Sequence, residues 1–276
     1  MTRQIFACVD GSPLVDAVCD ASVWASTRLG VALTLLNVIE KERFQSQASV
    51  KPDELHEKMQ DLDEQRIELA RENARRIIGD AEARLESHSL SHVHSRIREG
   101  NLVDILEDMH EEMRLMVIGK HGDASLNDHL GSHLEQTIRV VHRPVLIVQQ
   151  TFKRPQRIML AFDGGVSTVK GVRMVAESPL LNGIECDVVM IGGNTDEHHE
   201  QLEWARNTLE DGDVPVKTYL LNADNPQEAL RQHALDNAVD MMIMGAYGHS
   251  RIRHWLVGST TTSMLLSSPC TMLVLR

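Results

Sequence analysis

The stretch GAYGHSRIRHWLVGST at residues 245–260 concentrates the residue types that hold an anion. Gly245 and Gly248 directly follow an apolar, strand-like run. Glycine at a strand end lets backbone N–H groups approach a phosphate with no Cβ in the way. Nine residues separate Gly248 from Gly258, which is followed by Ser259 and Thr260 at the start of a helix-forming segment. A helix start supplies unpaired N–H donors and the positive end of the dipole, and the two hydroxyls add further donors. Tyr247 sits between the paired glycines, and Arg251, Arg253 and His254 bring local positive charge. Together these parts make a phosphate cradle. It is not a Walker A loop, because GxxxxGK[ST] occurs nowhere in the chain.

The elements that must position this cradle repeat. QIFACVDGS at 4–12 answers RIMLAFDGG at 157–165, placing Asp10 and Asp163 153 positions apart. LTLLNVIE at 33–40 answers CDVVMIGG at 186–193 at the same offset, whereas MRLMVIGKHG at 113–122 answers VDMMIMGAYG at 239–248 at an offset of 126. PVLIV at 144–148 then answers TMLVL at 271–275. Four matches in one order mark an internal duplication, with extra residues in the first copy. The surplus is a Glu-, Arg- and Leu-rich helical segment at 52–86, with Leu55, Met59, Leu62, Ile67, Leu69 and Ala70 at helical spacing.

In the first copy, strands at 4–9, 33–38, 91–98, 114–118 and 144–148 alternate with helices at 13–29, 52–86, 102–112 and 131–140. Such βα units predict an α/β fold: two tandem, doubly wound, parallel-sheet, Rossmann-like domains of five strands each. Domain 1 spans 1–150 and domain 2 spans 155–276, joined by a linker at 149–156. Ligands of such sheets bind beyond the carboxyl ends of the strands, where the Asp-Gly pairs and glycine motifs fall.

Composition narrows the function classes. The 276 residues carry a formal net charge of −12, which disfavours nucleic acid and anionic membranes as partners. No apolar run is long enough for a membrane span, and no leader pattern opens the chain. The four cysteines are scattered without CxxC spacing, as in reduced cytoplasmic proteins. His88, His92 and His94 lie close in sequence and read as surface strand residues, not a zinc site. No G-x-S-x-G elbow, acid/base dyad or Cys–His arrangement is evident, so no catalytic residue and no metal ligand is assigned.

The duplicated strand-end Asp and G-x2-G-x9-G-[ST] resemble the universal stress protein family, over the whole chain as two tandem copies. The second copy matches without a gap at Asp163, Gly245, Gly248, Gly258 and Ser259. The resemblance implies ATP, with Mg²⁺, as the ligand. Asp163 would face the ribose or adenine edge, the backbone at Met190 and Ile191 would read adenine, and the glycine motif would hold the triphosphate. It also implies a regulatory or stress-response role with slow or absent hydrolysis, and pairing of the two copies through their last strands. The intact chain would then be a monomer or a homodimer of tandem chains.

The first copy departs from the pattern. Asp10, Val38, Gly119, Gly122, Gly131 and Ser132 occupy the matching positions, but only eight residues separate Gly122 from Gly131. Asp123 and Asp128 stand where the second copy is basic, and carboxylates beside a triphosphate oppose binding. ATP is therefore expected mainly in the second copy. The alternative function is an interaction scaffold of the same fold that needs no nucleotide.

Overall fold

Apolar pentamers and heptamers separated by amphipathic helical runs build a three-layer α/β structure. The computed structural model describes residues 3–40, 54–88, 90, 92–120, 132–149, 151–245 and 259–276. The first half runs β1 (Gln4–Cys8), α1 (Val15–Leu29), β2 (Leu33–Ile39), α2 (Glu54–Glu86), β3 (Val93–Glu99), α3 (Leu102–Asp108), β4 (Met113–Gly119), α4 (Ser132–Val140) and β5 (Val145–Val148). The second runs β6 (Arg157–Ala161), α5 (Val166–Ala176), β7 (Glu185–Ile191), α6 (Asp196–Glu210), β8 (Val216–Leu221), α7 (Pro226–Asp236), β9 (Met241–Gly245), α8 (Ser259–Ser267) and β10 (Thr271–Leu275). The helix expected over 102–112 breaks at Met109 into α3 and a 3-10 turn, His110–Glu112.

All ten strands join one sheet in the order β3-β2-β1-β4-β5-β10-β9-β6-β7-β8. Every neighbouring pair is parallel except β5 and β10, which run antiparallel with Leu146 opposite Leu273. The last strands of the two copies thus cover each other's apolar edge. Buried clusters on both faces of the sheet continue across this seam.

Cations from each half also cap the other half's last helix. Lys120 Nζ donates to Leu266 O of α8 at 2.7 Å, and Arg276 donates to the carbonyls of Ile138, Arg139 and Val141 at the end of α4. Helix C-terminal carbonyls lack intrahelical partners and carry negative partial charge, so cations satisfy them well. Arg28 of α1 likewise donates to the carbonyls of Leu180 and Asn182.

Among the described residues, the long helix enters the core only through its C-terminal half. The residues of α2 that enter the core are Ala74, Ile77, Ile78, Ala81 and Leu85, while Leu62 and Leu69 are exposed. A 33-residue helix is about 50 Å long and its seven-residue neighbour β2 about 23 Å, so its front half passes beyond the sheet.

One buried polar cluster distinguishes the halves. Asp187, only 1% exposed, accepts from Arg157 Nη2 at 2.9 Å and lies 3.0 Å from His233 Nε2, while Tyr219 meets the His233 ring edge-on. The positions equivalent to Arg157 and Asp187 in the first copy are Gln4 and Thr34, joined by a neutral hydrogen bond of 2.8 Å. Asp187→Thr alone should therefore cost about 2–4 kcal/mol, because it leaves the mostly buried Arg157 guanidinium unpaired. The double change Arg157→Gln with Asp187→Thr should recover most of that loss in urea unfolding. Additive losses would show that the neutral arrangement does not transfer between halves.

Candidate functional site

At the carboxyl edge of the second half, three segments converge. Asp163 follows β6; its Oδ1 accepts from Gly165 N at 2.9 Å and from Thr168 Oγ1 at 2.6 Å, fixing the first turn of α5. A Cβ placed on Gly245, at the end of β9, would lie 3.7 Å from Thr168 Cγ2. Thr261 Oγ1 in the first turn of α8 donates to Gly245 O at 3.0 Å. The strand-end carboxylate, the strand-end glycine and the helix start expected to bind phosphate are therefore neighbours. Thr168 and Thr261 are the links between them. A helix start beside a glycine strand end can bind an anion through backbone N–H groups.

A fourth segment closes the other side. Gly164 has φ +69°, and a Cβ there would collide with the side-chain amide of Gln201 on α6. A Cβ on Gly192, after β7, would lie 2.8 Å from Cε1 of His198. His198 Nδ1 is 2.7 Å from Gly193 O, and Thr195 Oγ1 caps α6 by accepting from His198 N. Two side chains of one helix thus press on both strand-end loops. In the first half Gly11 has φ +77°, and a Cβ there would lie 2.8 Å from Cδ1 of Ile77 on α2. The contact is retained there with an apolar side chain.

The universal stress protein family model matches residues 1–149 and 187–276. This chain belongs to the universal stress protein family. Universal stress protein Slr1230 of Synechocystis sp. is 28% identical over 287 residues, covering 99% of this chain and 100% of that protein. A universal stress protein from Archaeoglobus fulgidus superimposes with a TM-score of 0.71 at 16% identity, covering 99% of this chain and 98% of its own. A putative universal stress protein from Pseudomonas aeruginosa follows at 0.64 and 14% identity, covering 99% and 93%. These last two share the fold across both halves.

Within this universal stress protein the expected site residues divide into three groups. Asp163 and Gly245 are brought together, and Ser259 and Thr260 open α8 beside them. Met190 is buried in the core at the end of β7, so only its backbone can face a ligand, and Ile191 is half-buried. Tyr247, Gly248, Arg251 and Gly258 lie outside the described residues, as do Gly122 and Gly131 of the first half.

In the first half, Asp10 Oδ1 accepts from Ser12 N at 3.1 Å, Val38 is half-buried in β2, Gly119 ends β4 and Ser132 opens α4. Among the described residues no three His, Cys, Asp or Glu side chains converge as a metal site, and no helix is long and apolar enough to cross a membrane. Burial pushes the Cys8, Cys19 and Cys186 thiols up to about 12 and Cys270 to about 11, which leaves all four in the unreactive thiol form at neutral pH.

Sequence reasoning missed Thr168, Thr261, Gln201, His198 and Lys120. Hydroxyls two positions inside a helix and polar residues on a neighbouring helix carry no spacing signature, so only the fold reveals them.

The close approach at Gly164 makes a direct test. Gly164→Ala should cost about 1–2 kcal/mol in thermal unfolding, chiefly from its left-handed backbone, because the Gln201 amide can swing aside. Adding Gln201→Ala should leave that loss nearly unchanged. A loss that Gln201→Ala largely removes would place the cost in the side-chain contact instead.

Proposed function

We propose that this universal stress protein binds ATP, with Mg²⁺, mainly in its second half and serves a cytoplasmic regulatory or stress-response role with little or no hydrolysis. In this reading residues 1–150 and 155–276 are its two domains. The observation that supports it is the Thr261–Gly245 hydrogen bond, which sets the start of α8 on the end of β9 beside Asp163. That arrangement lies where the sequence carries the ungapped glycine spacing and Arg251 and Arg253.

The fit to a nucleotide is chemical. Asp163 keeps Oδ2 clear of hydrogen bonds among the described residues, which suits a ribose hydroxyl donor. Backbone amides and hydroxyls at the α8 start suit phosphate oxygens, and Mg²⁺ would neutralise charge on the phosphates themselves.

Denaturing the purified protein and identifying released small molecules by mass spectrometry tests the ligand class. ATP in the supernatant supports the reading; protein that carries no nucleotide and binds none in calorimetry favours the nucleotide-independent scaffold. The asymmetry between halves is tested by substitution. Gly248→Val or Gly258→Val should block backbone approach and weaken ATP binding by about tenfold or more. Gly122→Val and Gly131→Val should change it by less than about twofold. The asymmetry is overturned if the first-half changes abolish binding and the second-half changes spare it.

A further inference from the structure

Thr168, in the first turn of α5, touches two separate parts of the candidate site. Its Oγ1 lies 2.6 Å from Asp163 Oδ1 and 3.0 Å from Gly165 O. A hydroxyl has one proton to give, and Gly165 O already accepts from Val169 N at 2.9 Å. The proton therefore goes to the carboxylate, at a length typical of a charge-assisted O–H···O⁻ bond. Gly165 N donates to the same oxygen at 2.9 Å, so two donors fix Oδ1 while Oδ2 takes none among the described residues. The methyl of the same threonine faces the end of β9, where its Cγ2 is 3.7 Å from a Cβ placed on Gly245.

Asp163 itself is exposed. An exposed carboxylate turns freely about its side-chain bonds, and a ligand that binds it must remove that freedom at a cost in affinity. With Oδ1 held from two directions the freedom is already gone, and Oδ2 is left as a fixed acceptor. A carboxylate oxygen accepts from a neutral hydroxyl and repels a phosphate. What it can recognise on a nucleotide is therefore the sugar, not the phosphate chain.

The first half lacks this device. Asp10 matches Asp163, and Ser12 N donates to its Oδ1 at 3.1 Å as Gly165 N does in the second half. The position equivalent to Thr168 is Val15, which packs against the core and has no side-chain proton to donate. Helix α1 forms all the same, from Val15 to Leu29. The hydroxyl is thus not needed to start the helix, and it belongs to the half with the ungapped glycine spacing.

We propose that Thr168 is a positioning residue that makes Asp163 a reader of the ribose hydroxyls, so that the second half selects ribonucleotides over nucleotides whose sugar lacks them. The proposal rests on the nucleotide reading above and adds a sugar selectivity which that reading does not require. Thr168 acts through Asp163 alone, so its effect must disappear when the ligand has no hydroxyl for Asp163 to accept from.

The test is calorimetry on the full chain with ATP and with 2′,3′-dideoxy-ATP, each with Mg²⁺. The wild type should bind ATP at least about tenfold more tightly, as expected for a hydrogen bond to a charged group. Thr168→Val keeps the methyl against Gly245 and copies Val15 of the first half. It should weaken ATP by about fivefold or more and dideoxy-ATP by less than about twofold, which shrinks the preference. Thr168→Ser retains the hydroxyl and should keep the preference within about twofold of the wild type. A threonine that served packing alone would lower both affinities together, and that result overturns the proposal. So does a wild type that binds the two nucleotides alike, without need of any variant. Both results leave the nucleotide reading standing. A wild type that binds neither nucleotide removes that reading and the proposal with it.

Discussion

The antiparallel pairing of β5 with β10 is the constraint from which the rest of the molecule follows. Each half ends in a strand whose residues are almost all buried, so each needs a neighbour on its outer side. Pairing the two with each other removes both liabilities and fuses ten strands into one sheet. Because strands within each half are parallel, this single antiparallel junction points the carboxyl edges of the halves in opposite directions. The two candidate binding edges are therefore on opposite sides of the sheet, and each half's edge lies beside the other half's helix C-terminus. That geometry lets Lys120 reach the end of α8 and Arg276 reach the end of α4.

Duplication followed by divergence explains what differs. The same pair of strand positions holds a neutral Gln4–Thr34 hydrogen bond in one half and a buried Arg157–Asp187–His233 cluster in the other. Both solutions satisfy buried polar groups, but the charged one tolerates no missing partner. The helix over the Asp-Gly loop diverged in the same way. The 33-residue α2 packs an isoleucine on Gly11, whereas the 15-residue α6 packs an amide on Gly164 and a histidine on Gly192. The apolar contact in the first half supports packing alone; the polar contacts in the second border the edge that carries the ungapped glycine motif.

Much of this was legible in the residues. The repeats located β1, β2, β4 and β5 and their counterparts β6, β7, β9 and β10, because buried parallel strands read as short apolar runs bounded by Gly and Asp. Asp163, Gly245 and the Ser259 helix start were recognisable because anion binding constrains residue type and spacing together. The packed face of α2 was not: at about 100° per residue the exposed Leu62 and Leu69 share one side of the helix, while the buried Ile78, Ala81 and Leu85 lie on another. Apolar spacing alone does not say which of two such sides the sheet covers.

Lys120 shows how the fold and the site compete for one side chain. It directly follows Gly119, at the first half's carboxyl edge, where a cation would attract phosphate. Instead its backbone N–H donates to Val148 O and its ammonium crosses the seam to Leu266 O and Gln149 Oε1. Burial lowers its pKa, so the carbonyl contact only partly compensates for lost hydration. Its charge is committed to capping α8 and is unavailable to a ligand in the first half. With Asp123 and Asp128 following in sequence, the local electrostatics there oppose an anion. The second half has Ala246 at the equivalent sequence position, with its basic residues, Arg251 and Arg253, farther along the sequence. The requirement that joins the halves thus removes a phosphate-binding cation from the carboxyl edge of the first half.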